Sequence, residues 1–178
     1  MINKDCRIQT YTGKQFYLLD TIQDDIDVVD IAHALANMCR FNGHCNEFYS
    51  VAQHSVIVSQ YCDDPLWGLA HDMTEAYLPD VTRPLKQVLP NFKVIEDNLM
   101  SVIAQAFGLN GTTIPDQVKV IDNRALVTER RDLMADAPIP WGGLHDLTCL
   151  PQKIVPVSAK MAEKMFLRRF HELVTVEV

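Results

Sequence analysis

His71 and Asp72 stand side by side in an apolar run, with Leu66, Trp67, Leu69 and Ala70 leading in and Ala76, Tyr77 and Leu78 following. An element of that composition belongs in a core, yet a buried charge is costly unless it is paired or bound to a metal ion. A divalent cation would satisfy both side chains at once, so matching ligands can be sought elsewhere in the chain. At 178 residues there is material for one well-buried core and too little for two comfortable domains.

The surrounding pattern reads as helix after helix. Apolar positions from Ile26 to Met38 recur at helical spacing after an acidic stretch, Asp20–Asp27, suited to a helix N-terminus. Ser50 is placed to cap a helix over Val51–Tyr61, and Pro65 suits the first turn of another, expected to reach Leu78 before Pro79 stops it. A short turn after Pro84, a long helix from Asn91 or Phe92 to Phe107, another from Pro115 to about Ala135, and a last one from Ser158 to about Leu173 complete the series. Strand signals are weak and confined to Gln9–Thr12, Gln15–Leu18 around Gly13, and Lys153–Val157. The expected fold is one all-α domain over residues 1–178 with a short hairpin at its N-terminus.

Composition narrows the function. No apolar run approaches the length of a membrane span, and the opening Met1-Ile-Asn-Lys-Asp-Cys6 lacks the features of a signal peptide, so a cytoplasmic location is expected. Cys6, Cys39, Cys45, Cys62 and Cys149 are odd in number and form no C-x-x-C pair, as expected of reduced thiols. A formal net charge of -7 argues against a nucleic-acid polymer as partner, which requires an extended basic surface. It does not exclude a small anionic substrate, because a metal ion and a few arginines reverse the field locally.

Two other helices offer partners for the dyad. His54 lies within Ser50-Val-Ala-Gln-His-Ser-Val-Ile-Val58 and Asp122 within Val118-Lys-Val-Ile-Asp-Asn-Arg124. With His71 and Asp72 they make an N2O2 set for one divalent transition metal, zinc, cobalt or manganese. Open positions on such an ion would take water and a substrate oxygen. Glu75 follows Asp72 by one helical turn, and a carboxylate beside activated water suits proton transfer; Asp80, just after Pro79, could reach the same water.

The ordered set His54, His71-Asp72, Asp122 resembles the H…HD…D signature of the HD-domain phosphohydrolases. The stretch His71-Asp-Met-Thr-Glu-Ala-Tyr-Leu-Pro-Asp-Val-Thr-Arg-Pro-Leu-Lys86 is similar to the 5'-deoxynucleotidase branch, with its HDxxE and Pro-x-K ending. Arg40-Phe41 resembles the Arg-aromatic pair that precedes the first histidine there. Ile31-Ala-His-Ala-Leu35, Arg40-Phe-Asn-Gly-His44 and Ser50-Val-Ala-Gln-His-Ser55 look like short phage and bacterial HD hydrolases, phage dATP triphosphohydrolases among them. The resemblance covers about residues 26–135.

It implies an HD-type helical bundle in which His54, His71, Asp72 and Asp122 hold the metal, and Glu75 and Asp80 handle the attacking water and the leaving-group proton. Arg40 would contact phosphate or sugar, Phe41 sugar or base, and His44, Arg83, Pro84 and Lys86 would complete the substrate site. The substrate would be a deoxynucleotide, with a lean toward deoxyadenylate and dATP. A triphosphate would recruit Arg83, Lys86, Arg124 or Lys14. The relatives imply a dimer or larger homo-oligomer, and the host cytoplasm for a phage-encoded chain. Two departures stand out: the nucleotidase pattern has Trp where this chain has Phe41, and the segment from His54 to His71 is short. His33 reads as structural, Trp141 as a loop anchor, and His145 and His171 as surface residues. A non-catalytic nucleotide sensor of the same fold is the rival reading, which the presence of Glu75 and Asp80 opposes.

Overall fold

Every residue from Val51 to Ser59 is buried, so the helix that carries them sits inside the molecule rather than on its surface. The computed structural model describes residues 7–139, 141–143 and 146–175; Cys6 and His145 lie outside those residues. In chain order the elements are β1 (Ile8–Gln9), β2 (Gln15–Phe16), α1 (Val28–Asn37), α2 (Val51–Tyr61), α3 (Pro65–Ala70), α4 (Arg83–Lys86), α5 (Pro90–Ala106), α6 (Asp116–Leu133) and α7 (Ala159–Val174). The fold is all-α with a short N-terminal hairpin. Helix α2 is central and packs against α1, α3, α6 and α7.

The caps follow the sequence signals. The side chains of Asp27, Ser50, Asp64 and Ser158 accept from the backbone N–H groups of Val29, Gln53, Trp67 and Met161, satisfying donors that a helix start would otherwise leave bare. In the hairpin, Ile8 pairs with Phe16 and Gln9 with Gln15 in antiparallel register. The buried carboxylate of Asp30 on α1 accepts from the Thr12 N–H at 2.6 Å and the Thr12 hydroxyl at 2.9 Å, tying the hairpin down.

Two expectations are corrected. Helix α3 does not run to Leu78 but ends at Ala70, with Asp72 at φ -106°, ψ 10° and a 3-10 turn over Met73–Ala76. The His71 ring supplies a reason: its Nδ1 lies 2.8 Å from the Gly68 carbonyl, the acceptor a continued α-helix would offer to the Asp72 N–H. Lys153–Val157 belongs to no strand among the described residues. Its partner is the Gln53 side chain, whose amide donates to the Val155 carbonyl at 2.8 Å and accepts from the Val157 N–H at 3.0 Å.

The contact between α2 and α3 is close enough to exclude a side chain. A Cβ on Gly68 would stand 2.8 Å from Ser59 Cα and 2.9 Å from Cys62 Sγ, and the first of these is backbone. Gly68→Ala should therefore destabilise the fold by about 1–3 kcal/mol, the usual range for overpacking a core. Urea denaturation of the variant measures this, and an unchanged midpoint would show that the two helices part freely.

Candidate metal centre

The orientation of both buried imidazoles is set from behind. His71 Nδ1 faces the Gly68 carbonyl at 2.8 Å, and a carbonyl only accepts, so that nitrogen carries hydrogen. His54 Nδ1 faces Glu129 Oε1 at 2.5 Å. Burial works against the Glu129 charge, but Arg40 and His54 outweigh it and hold its pKa below the ordinary value, so it too accepts. Each ring therefore turns its Nε2 toward the other, at 3.2 Å. This is the tautomer that a carbonyl or carboxylate behind a metal-binding histidine imposes.

Carboxylate oxygens close around the same point. Asp72 Oδ2 lies 3.3 Å from His71 Nε2 and 3.6 Å from His54 Nε2, while Asp122 Oδ1 is 3.2 Å and 4.0 Å from His54 and His71. Ligand atoms about 2.0–2.2 Å from one ion stand roughly 3.0–3.5 Å from their neighbours around it. His54, His71 and Asp72 thus form a group that can hold a metal ion, and Asp122 brings a fourth donor within reach of both rings. Burial opposes the charges on Asp72 and Asp122, yet the imidazoles prevail: both carboxyls are held low, Asp122 at about 2. Burial and Arg40 resist protonation of His54, but Glu129 and Asp122 lift its pKa to about 9. A proton and a metal ion compete for that Nε2.

Behind the cluster lies a second layer that the sequence reading missed. Glu129, fully buried on α6, takes Arg40 Nε and Nη2 on Oε2 at 3.2 and 3.1 Å. Arg40 Nη1 stands 3.5 Å from Asp72 Oδ2. Burial disfavours the guanidinium charge, but Glu129 and then Asp72 hold the Arg40 pKa well above its ordinary value. Glu129 lies seven residues, two helical turns, after Asp122 on the same helix. That spacing was the available signal, obscured because Glu129-Arg-Arg-Asp132 reads as a solvated charge run.

The cluster opens into a cavity of about 830 Å³ lined by Arg40, Phe41, Asp72, Glu75, Asp80, Arg83, Pro84, Lys86, Asp122 and Trp141, among others. Within the 3-10 turn, residues three apart eclipse, which lets Asp72 and Glu75 both face it. Glu75 is buried and its Oε2 has no hydrogen-bond partner. Burial first, then Asp72 and Asp80, push the Glu75 pKa well up; burial also raises that of Asp80. Lys86 Nζ sits 2.7 Å from Glu96 and 3.7 Å from Glu75, and Arg83 Nη2 is 3.1 Å from Asp122 Oδ2. Phe41 and Trp141 meet with ring centroids 6.0 Å apart.

Other expected residues lie elsewhere. His44 is exposed and does not line the cavity. Lys14 pairs with Asp27, and Arg124 donates to the Thr148 carbonyl. His33 stacks on Tyr11 and pairs with Glu163 of α7, a structural position away from the cluster.

No family model matches the chain. It is 40% identical over 169 residues to the uncharacterized protein YfdR of Escherichia coli (strain K12), which covers 93% of this chain and 94% of that protein. The chain belongs to the YfdR family. An uncharacterized protein of Rhodobacter capsulatus is 34% identical over 110 residues, covering 55% of this chain and 56% of its own length. The first of these alignments spans nearly all of this YfdR-family chain, so it extends over both the helices that supply the cluster and the loops that wall the cavity.

Titration of the metal-free protein with Mn2+, Co2+ or Zn2+ should give one bound ion per chain and a higher melting temperature. Saturation at a hundred times Kd corresponds to about 2.7 kcal/mol of stabilisation. His71→Ala should lose the binding and the shift while keeping its helical circular dichroism. A wild-type melt unmoved by all three ions would remove the centre.

Proposed function

We propose that this chain is a metal-dependent phosphohydrolase of the HD-domain type, acting on small deoxynucleotide phosphates. The observation that carries the proposal is the convergence of His54, His71, Asp72 and Asp122 at the floor of a cavity that also holds Glu75, Asp80 and three cationic side chains. These four would hold one divalent ion, zinc, cobalt or manganese. When bound, the ion supplies Lewis-acid polarisation of a phosphoryl oxygen and a lowered pKa for water. The donor set fits, because two imidazole nitrogens and two ionised carboxylates gathered at one point call for positive charge, which a divalent ion would supply in place of the proton on His54.

The remaining chemistry falls to the chain. A cavity of about 830 Å³ is within the range that small-molecule sites occupy, roughly 300–1,000 Å³. Arg40 and Arg83 border the floor and would meet the phosphate, with Lys86 beside Glu75. Phe41 and Trp141 offer flat apolar faces to a sugar or base. Water attacks phosphorus and the bond to the leaving oxygen breaks. One proton leaves the water and one reaches the leaving oxygen, and Glu75 and Asp80 are placed to exchange them. Their raised pKa values support this role, since a general acid or base works best near the operating pH. Asp72 and Asp122, held low, remain anionic; environments that separate carboxyls in this way mark a division of labour.

Hydrolysis of a panel of dNMPs and dNTPs, dATP included, with added Mn2+, Co2+ or Zn2+ tests the proposal. Inorganic phosphate from monophosphates identifies a nucleotidase, and tripolyphosphate a triphosphohydrolase. Asp72→Ala should lose metal and activity together. Glu75→Ala should keep its metal and turn over about 10²–10⁴-fold more slowly, the usual worth of a positioned acid or base. Tight nucleotide binding with no hydrolysis of any substrate would overturn the enzyme reading in favour of a sensor.

A further inference from the structure

We infer that Glu129 is a positioning residue that couples the metal centre to the cavity arginine, holding His54 with one oxygen and restraining Arg40 with the other. The inference rests on the metal-centre reading and adds to it a residue outside the ligand set.

Both oxygens of Glu129 are committed. Oε1 takes His54 Nδ1 at 2.5 Å, and Oε2 takes Arg40 Nε and Nη2 at 3.2 and 3.1 Å, with no part of the side chain exposed. Arg40 has one terminal nitrogen left, Nη1, and it lies 3.5 Å from Asp72 Oδ2. That oxygen is the one facing both imidazole Nε2 atoms, at 3.3 and 3.6 Å. A guanidinium and a metal ion therefore share a claim on a single carboxylate oxygen. The two hydrogen bonds to Glu129 hold the guanidinium on its far side. Without them, Arg40 is a buried cation whose nearest remaining anion is Asp72, and a fully formed Arg40–Asp72 pair would take that oxygen from the ion.

Removing Glu129 thus acts on the ion twice. It frees the His54 ring to turn, and it sends Arg40 toward a ligand. A residue that merely filled space would do neither. The backbone on both sides of Arg40 restricts any other response: the Arg40 N–H donates to the Tyr49 carbonyl at 2.9 Å, the Val51 N–H to the Met38 carbonyl at 3.1 Å, and Cys39 pairs with Ser50 in an isolated bridge. Only the side chain is free to move.

Cobalt(II) binding, followed by visible absorption and chelator competition, tests this on the full chain as wild type, Glu129→Gln, Arg40→Gln and the double variant, each with a melt of its chelated form. Glu129→Gln should weaken cobalt binding about 10–100-fold, as loss of a partner behind a ligand does. The double variant removes the stranded guanidinium while the new amide oxygen still accepts from His54, so it should bind about tenfold or more tighter than Glu129→Gln alone, a non-additivity expected of residues that act as one unit. Should Glu129→Gln fail to fold, the double variant leaves no unpaired charge and carries the test; it should lie within about tenfold of the wild type, since one negative and one positive charge are removed together and the amide still accepts from His54. Wild-type affinity in Glu129→Gln, or a double variant no tighter than the two single losses combined, would overturn the assignment. A wild type without a cobalt band removes the centre itself, whereas a wild-type band with a cobalt affinity that Glu129→Gln leaves unchanged removes only the role of Glu129.

Discussion

A helix buried on every side must find an internal partner for each polar side chain it carries, because a buried donor or acceptor left unpaired costs about 1–3 kcal/mol. Helix α2 carries several, and Gln53, His54 and Ser59 each recruit a different part of the chain. Gln53 bonds the backbone on both sides of Pro156, fastening that segment. Ser59 accepts from Arg169 Nε through its hydroxyl and from Arg169 Nη2 through its carbonyl, fastening α7. Ser55 returns its hydroxyl to the Val51 carbonyl one turn back. His54 reaches Glu129 on α6 on one side and the His71 ring on the other. The polar residues of the central helix are thus the joints of the bundle, and the joint made by His54 is the one with unspent valence.

Charge is arranged around that joint in two zones. Asp72, Asp122 and Glu129 lie against imidazoles or Arg40, which outweigh the cost of burial and keep them ionised. Glu75 and Asp80 face those same anions from the cavity side, and burial together with Asp72 raises both. The contrast follows from whether nearby cations outweigh the cost of burial. Imidazoles and Arg40 outweigh burial at the first group, whereas at Glu75 and Asp80 burial prevails, reinforced by Asp72 and only partly offset by Lys86 and Arg40. One local field therefore yields permanent anions and protonatable groups within a single cavity, with no change of residue type.

Much of this was legible in the sequence because it rests on local signals. Ser50 and Pro65 marked helix starts, and helical spacing placed α1, α5, α6 and α7 within a few residues of their observed ends. His54, His71, Asp72 and Asp122 were visible as polar interruptions of apolar runs. What escaped depended on contacts made across the fold. The early end of α3 comes with a ring nitrogen taking a carbonyl from the helix, which no propensity encodes. The segment Lys153–Val157 has strand composition but meets a glutamine side chain in place of a neighbouring strand. Glu129 carries the residue type of a solvated face and the burial of a core residue, a conflict resolved only when Arg40 and His54 arrive from other elements.

The turn after Arg40 shows how the buried joint reaches the cavity wall. Phe41 and Asn42 adopt φ values of 55° and 50°, followed by Gly43 at 80°. For a bulky residue such as Phe41 this left-handed backbone costs about 1–2 kcal/mol and persists only where the surroundings over-determine it. Here they do. Arg40 is anchored inward by Glu129, the bridge between Cys39 and Ser50 fixes the base of the turn, and the Asn46 N–H donates to the Leu133 carbonyl at 2.8 Å on its return. With both ends held, the chain reverses between them through this left-handed turn. That path leaves Phe41 lining the cavity near Trp141, while Arg40 lines it with its guanidinium bonded to Glu129. The strained turn therefore sits between a side chain fixed to the buried carboxylate and a ring that lines the cavity beside it.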